Sequence, residues 1–298
     1  MIRRIALWAI VAALAAACTS SPSPRDEEMA VCSIQNVGSD TIVNLALAWA
    51  EAYQGEHTGT RIAVTGGGSG TGLAALINGT IDIANASRQI KSEEIDRAEA
   101  NAINPVEHVV ARDAIAVIVH PSNPVQQLTL EQISEMYTGR LTNWRQVGGQ
   151  DRPIVLLSRE TNSGTHVFFL EEVVRLGDSQ NTDLFFSAET LLLPSSEGIT
   201  AEVRQNPNAI GYDGLGYVTP DVKMVAVARQ AEGRFVLPSI ASVDDGSYPI
   251  ARDLYMYTAG QPSGPVQNYL DWIVGPAGQE IVAELGFVPL NAGHTASK

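Results

Sequence analysis
RIAVTGGGSGTGLAALI, residues 61–77, runs from a short apolar strand (Arg61–Thr65) through a turn of glycine, serine and threonine (66–72) into a helix reaching Ile77. A strand, a tight turn and a helix in that order form a β–α unit, and units of this kind build parallel sheets covered by helices. The chain repeats the pattern. Upstream, Cys32–Val37 reads as a strand and Asp40–Glu56 as a helix, with Ile42, Val43, Ala46, Trp49, Ala50 and Tyr53 on one face. Downstream, Ile81–Ala86 is a strand, followed by a helix capped at Ser92 with Glu93 and Glu94 in its first turn, where carboxylates complement the helix dipole. Thr129 and Gln132 form a capping box for a helix ending near Gly139. Ile154–Leu157 is a strand with a helix after it over Ser163–Val174, another helix follows Ser196, AIGY is a strand, and Pro265–Leu285 is a last amphipathic helix. The apolar runs Val106–Val119 and Ile250–Tyr257 are the candidates for crossings between two domains. The pattern predicts an α/β protein.

A chain of 298 residues is longer than one core usually serves, and its 45% hydrophobic content can fill two. The net charge of −14 repels nucleic acid and anionic lipid, so neither is expected as a partner, and an anionic ligand would have to be held by local donors. The N-terminus reads as an export signal over residues 1–17: Arg3 and Arg4, an apolar run Ile5–Leu14, then small residues before Cys18. That run falls short of the roughly 20 residues a spanning helix needs. LAAAC (14–18) resembles a bacterial lipobox, with Leu14 four rather than three positions before the cysteine. Lipidation of Cys18 is therefore expected, with residues 18–30 as a solvated Ser/Pro tether and the protein held at the periplasmic or cell surface by its lipid anchor alone. Cys32 is then left without a disulfide partner in the chain.

Three times a strand ends in a turn of small and hydroxyl residues that opens a helix: GSDT (38–41), GGGSGTG (66–72) and SRETNSGT (158–165). The first N–H groups of a helix have no internal partner, the dipole places positive charge there, glycine allows close approach, and Ser or Thr adds a donor. Parallel strands present such ends along one edge, so the three can converge on one oxyanion. Arg159 stands four residues before Ser163 and can fold its guanidinium over the same helix start, and Arg88 follows a strand end in ANASRQI. Catalytic patterns are missing. GGGSGTG lacks the lysine of a phosphate-binding P-loop, there is no nucleophile elbow, and the five histidines show no metal spacing, so neither catalytic residues, a metal nor another cofactor is expected. His166 reads as a helix-surface residue.

The order GSDT, GGGSGTG, ASR, LTLEQISEMYTGRLTNW (128–144), SRETNSGT and NPNAIGYDGLGY (206–217) resembles the phosphate-binding proteins of bacterial high-affinity phosphate ABC transporters over essentially the whole mature chain. The resemblance implies a two-lobed type II periplasmic-binding-protein fold whose lobes, joined by hinge strands, close over a dehydrated phosphate. Lobe one would be residues 31–116 and 249–298, and lobe two 117–248. It implies a monomer that is not an enzyme, with inorganic phosphate and permease subunits as partners. Carried over by motif, the phosphate-binding residues are Ser39, Asp40 and Thr41, then Ser69 and Gly70, then Arg159, Ser163, Gly164 and Thr165, with Ser87 and Arg88 at the third strand end. There the family's well-known members carry an aspartate that accepts the phosphate proton. A site that prefers phosphate to sulfate needs such an acceptor, so another carboxylate is expected in the cleft, Asp40 first and Asp113 second, with Arg88 offsetting its charge. Other tetrahedral oxyanions (sulfate, molybdate, tungstate) and, from a different class, a phosphatase or serine hydrolase are the alternative functions.

Overall fold
The computed structural model describes residues 32–290. Its first part alternates β1 (Cys32–Gly38), α1 (Val43–Glu56), β2 (Thr60–Thr65), α2 (Ser69–Ile77), β3 (Ile83–Ala86), α3 (Ser92–Ala100) and the 14-residue β4 (Val106–Val119). There follow β5 (Gln127–Thr129), α4 (Leu130–Tyr137), β6 (Val155–Arg159), α5 (Gly164–Phe169), β7 (Leu191–Leu193), α6 (Ser196–Gln205), β8 (Ala209–Gly214), β9 (Lys223–Met224), β10 (Ala226–Ala228) and α7 (Ile240–Asp244). The chain then returns through β11 (Ala251–Thr258) and closes with α8 (Gly264–Val274) and α9 (Pro276–Glu284).

The main sheet has the order β2-β1-β3-β11-β4-β8-β6-β7, with β9 on β4, while β5 and β10 pair separately. Strand β1 is parallel to β2 and β3, and β8 and β7 are parallel to β6; β11 is antiparallel to β3 and β4, and β4 to β8. Strand β4 spans the molecule. Its residues up to Ala114 pair with β11 and those from Ile115 with β8. Val110 and Ala111 accordingly enter one hydrophobic core with Ile34, Trp49, Tyr269 and Phe287, whereas Ile115, Val117 and Val119 enter a second with Tyr137, Phe169 and Tyr212. Burial on both faces explains why the second half of β4, Ala114–Val119, reads as an unbroken apolar run.

Helix α1 buries Leu45, Ala46, Trp49, Ala50 and Tyr53, one stripe at helical spacing, and the indole N–H of Trp49 donates to Gly278 O at 2.8 Å, tying α1 to α9. The capping box of α4 forms: Thr129 Oγ1 accepts from Gln132 N–H at 3.1 Å and Gln132 Oε1 from Thr129 N–H at 3.0 Å. Two helices differ from the sequence reading. Asp40–Ile42 is a 3-10 turn ahead of α1, and the predicted 265–285 helix is broken into α8 and α9, with Gly275 extended (φ −77, ψ 174) before Pro276. Proline disfavours the helical conformation in the residue before it and suits the first position of a new helix. Helix α5 continues as a π-helical turn over Leu170–Val174, and Phe169 at the end of α5 stacks on Tyr212 of β8 with ring centroids 3.6 Å apart, tying the helix to that strand.

Candidate functional site
The turns after β1, β2, β3 and β6 meet at one place between the two cores. Six hydroxyl side chains are buried there, Ser39, Thr41, Ser69, Ser87, Ser163 and Thr165, each at most 3% exposed. Taking so many hydroxyls out of water costs roughly 1–3 kcal/mol for each one left without a partner. They are partly satisfied by one another. Thr41 Oγ1 lies 2.5 Å from Thr165 Oγ1, Ser69 Oγ lies 3.3 Å from Ser87 Oγ and accepts from Ser87 N–H at 3.0 Å, and Ser163 Oγ caps α5 by accepting from Thr165 N–H at 3.2 Å. Ser39 Oγ has no hydrogen-bond partner among the described residues. The fit is close enough to require glycine at the start of α5: a Cβ on Gly164 would stand 2.4 Å from Ser69 Oγ and 2.6 Å from Ser87 Oγ.

Two arginines and three carboxylates surround these hydroxyls. Arg159, 1% exposed, donates from Nη2 to Asp40 Oδ2 at 2.9 Å and to Pro194 O at 2.8 Å, and from Nη1 to Ser196 Oγ at 2.7 Å. Asp40 Oδ2 also accepts from Ser196 N–H at 3.0 Å, so one carboxylate from the β1 turn bridges to β6 and α6. Arg252 of β11 donates from Nη1 to Ser87 O at 2.7 Å and from Nη2 to Asp113 Oδ2 at 3.0 Å and Thr165 Oγ1 at 2.9 Å. Asp113 Oδ1 accepts from Leu215 N–H at 3.1 Å; burial raises its pKa, and the Arg252 charge opposes that shift. Asp213 Oδ1 accepts from Gly214 N–H at 2.8 Å, and Oδ2 makes no hydrogen bond among the described residues. Burial pushes Asp213 up to about 7 against the pull of Arg159.

Of the residues singled out from sequence, Ser39, Asp40, Thr41, Ser69, Ser87, Asp113, Ser163, Gly164 and Thr165 come together here. Gly70 joins through its backbone, its N–H donating to Asn162 O of the β6 turn at 3.0 Å. One expectation needs correction. Arg88 does not offset a cleft carboxylate: its guanidinium is turned onto Glu94 with two bonds of 2.8 Å, because the first turn of α3 offers a buried carboxylate six residues on in sequence. Arg159 makes its hydrogen bonds to the acceptors Asp40 Oδ2, Pro194 O and Ser196 Oγ. His166 is buried, with Nδ1 3.0 Å from Ser158 Oγ, and burial lowers its pKa.

Sequence reasoning missed Arg252, Asp213 and Ser196. Their signal was present: an arginine in IARDLYMYT and an aspartate in AIGYDGLGY interrupt strands that are otherwise apolar, and such charges are buried only when paired.

Residues 19–277 match the family described as PBP superfamily domain. The phosphate-binding protein PstS of Pseudomonas aeruginosa is 31% identical over 277 residues, covering 87% of this chain and 84% of that protein. Its namesake in Bacillus subtilis is 31% identical over 293 residues, covering 95% and 92%. Among solved structures, a phosphate ABC transporter substrate-binding protein from Clostridium perfringens with bound phosphate superposes with a TM-score of 0.77 at 31% identity, over 87% of this chain and 100% of that one. An ABC-type phosphate transport receptor from Vibrio cholerae gives 0.69 at 26% identity, over 86% and 100%. The doubly covered sheet, the convergent hydroxyl turns and matches of this length carry one conclusion: the chain belongs to the PBP superfamily, with the type II periplasmic-binding-protein fold, and within it to the family of the phosphate-binding protein PstS.

Proposed function
We propose that this protein binds inorganic phosphate outside the cytoplasm and delivers it to the permease subunits of an ABC transporter, making and breaking no bond. The observation that carries the reading is the convergence of six buried hydroxyls from four strand-end turns, beside the start of α5. Ser39, Thr41, Ser69, Ser87, Ser163 and Thr165, with the N–H of Gly164, exchange phosphate's water for fixed donors, and Arg159 and Arg252 supply positive charge close by. Asp40 keeps Oδ1 outside its bond to Arg159 and is the acceptor for the phosphate proton, whose absence from sulfate gives the site its selectivity.

Lobe one (31–116 and 249–298) and lobe two (117–248) open about β4 and β11 to admit the anion and close to exclude water. The contacts Asp40 to Arg159, Gly70 to Asn162 O and Thr41 to Thr165 are those of the closed form. Residues 1–30 lie outside the described residues, and among those described no helix is long and apolar enough to cross a membrane. The anchor is the lipid on Cys18, and the working form is a tethered monomer. A strain lacking the gene should lose high-affinity phosphate uptake and regain it with the native gene; unchanged uptake at micromolar phosphate, with no second binding protein expressed, overturns the transport role.

A further inference from the structure
The geometry points to Arg252 as a positioning residue of the anion site: it sets the direction of the hydroxyl donors from the hinge strand, and phosphate affinity depends on it. The inference rests on the phosphate-binding reading above. Arg252 sits on β11 directly across from Asp113 of β4, in the strand pair through which the chain passes between the two cores. Its three bonds reach three separate elements. They go to Ser87 O just past β3, to Asp113 Oδ2 on β4 and to Thr165 Oγ1 on α5. One buried guanidinium thus joins the turn of one half, the crossing strand and the turn of the other half.

The chemistry of the Thr165 contact gives the role. A guanidinium only donates, so Thr165 Oγ1 spends a lone pair on Arg252. Thr41 Oγ1 and Thr165 Oγ1, 2.5 Å apart, hold two hydroxyl hydrogens, and one of these lies in the bond between them. Whichever oxygen donates in that bond, the other hydrogen is left to point out of the pair toward an anion, while Arg252 covers a lone pair that would otherwise repel it. Without Arg252 the pair would present an open acceptor to the ligand. A guanidinium has five N–H donors and three bonds are made here; Nε has no partner among the described residues.

Arg252 also lines a cavity of about 550 Å³ together with Arg88, Lys91, Phe168, Glu172 and Tyr255, and its guanidinium lies over the Phe168 ring 5.3 Å from the centroid. It is the residue shared by this cavity and the buried hydroxyl cluster. The other arginines that line the cavity, Arg88 and Arg112, are bonded to Glu94 and Asp244 instead.

Arg252→Lys keeps a charge against Asp113, but a single ammonium nitrogen cannot span the acceptors that Nη1 and Nη2 reach on three elements. Measured by calorimetry on the purified protein, phosphate affinity should fall about 30-fold or more, the scale of losing a buried charge-assisted contact, while Tm without phosphate stays close to that of the native protein. Lys91→Gln, which removes a charge from the same cavity, should leave affinity unchanged. In a Thr165→Val background Arg252→Lys should cost little more, because the oxygen through which it acts is gone. If the native protein binds and Arg252→Lys binds as tightly, or if the two losses simply add, the inference is wrong. If the native protein itself does not bind phosphate, the reading beneath it fails instead and the inference falls with it.

Discussion

Gly164→Ala separates folding from ligand closure. On its own helix the change is favourable, since alanine in a helix is better than glycine by up to ~1 kcal/mol. In the closed site it is not. The new methyl carbon would stand 2.4 Å from Ser69 Oγ, 2.6 Å from Ser87 Oγ and 3.0 Å from Ser69 Cβ, against ordinary contacts of roughly 3.5–4 Å. Rotating Ser69 relieves the first contact only by giving up its bond from Ser87 N–H, and the 3.0 Å contact with Cβ remains. The α5 turn must therefore retreat by about 1 Å, a displacement that lengthens the 2.5 Å Thr41–Thr165 bond and strains the Asp40–Arg159 pair. Losing two or three such contacts, at ~0.5–1.5 kcal/mol for neutral bonds and ~1.5–3 for a charged one, gives ~2–5 kcal/mol in binding, a fall of about 30-fold or more in phosphate affinity. Calorimetric titration with phosphate and a thermal melt without it, on the same preparation, read the two effects separately. Native-like affinity in Gly164→Ala, or a lowered Tm without ligand, would refute the closeness of the turns in the bound state.

Asp40→Asn should lose discrimination between phosphate and sulfate more than it loses phosphate affinity, read by competition titration; sulfate rejection as strong as native places the proton acceptor elsewhere. Asp213, held near 7 by burial against an ordinary 3.8, binds a proton in the folded protein over a pH range where the unfolded chain has released it. Its contribution to stability therefore falls as pH rises from about 4 to about 7. Asp213→Asn should gain on the native protein in Tm across that window and keep a constant difference above it; a difference independent of pH contradicts the shift. Cys18→Ser should release the protein from the membrane fraction into the soluble one, and unchanged fractionation would refute the anchor.

The strand-end turns were legible because their composition has a local cause: a helix start needs hydroxyl caps and glycine wherever the chain approaches another group closely, and GSDT, GGGSGTG and SRETNSGT show both. The length of β4 and the capping box of α4 were equally local. What could not be read was the choice of partner among charges far apart in sequence. Arg159 reaches Asp40 and Ser196, 119 and 37 residues away, and Arg252 reaches Asp113 and Thr165, 139 and 87 residues away. Those pairings follow from the placement of β11 between β3 and β4 and of β6 beside β8, which no local pattern specifies. Arg88 shows the converse: the carboxylate six residues on was visible in SEEIDRAEA, and the nearer partner won. The break at Gly275–Pro276 was visible as well, and the continuous apolar stripe on either side concealed it.

The account rests on a single buried oxyanion site, and titration of the purified soluble protein with phosphate, sulfate and molybdate tests it most directly. One phosphate should bind per chain, far more tightly than either other anion, and Thr165→Val should weaken it. Absence of a heat of binding for phosphate, or preference for sulfate or molybdate, would contradict the account.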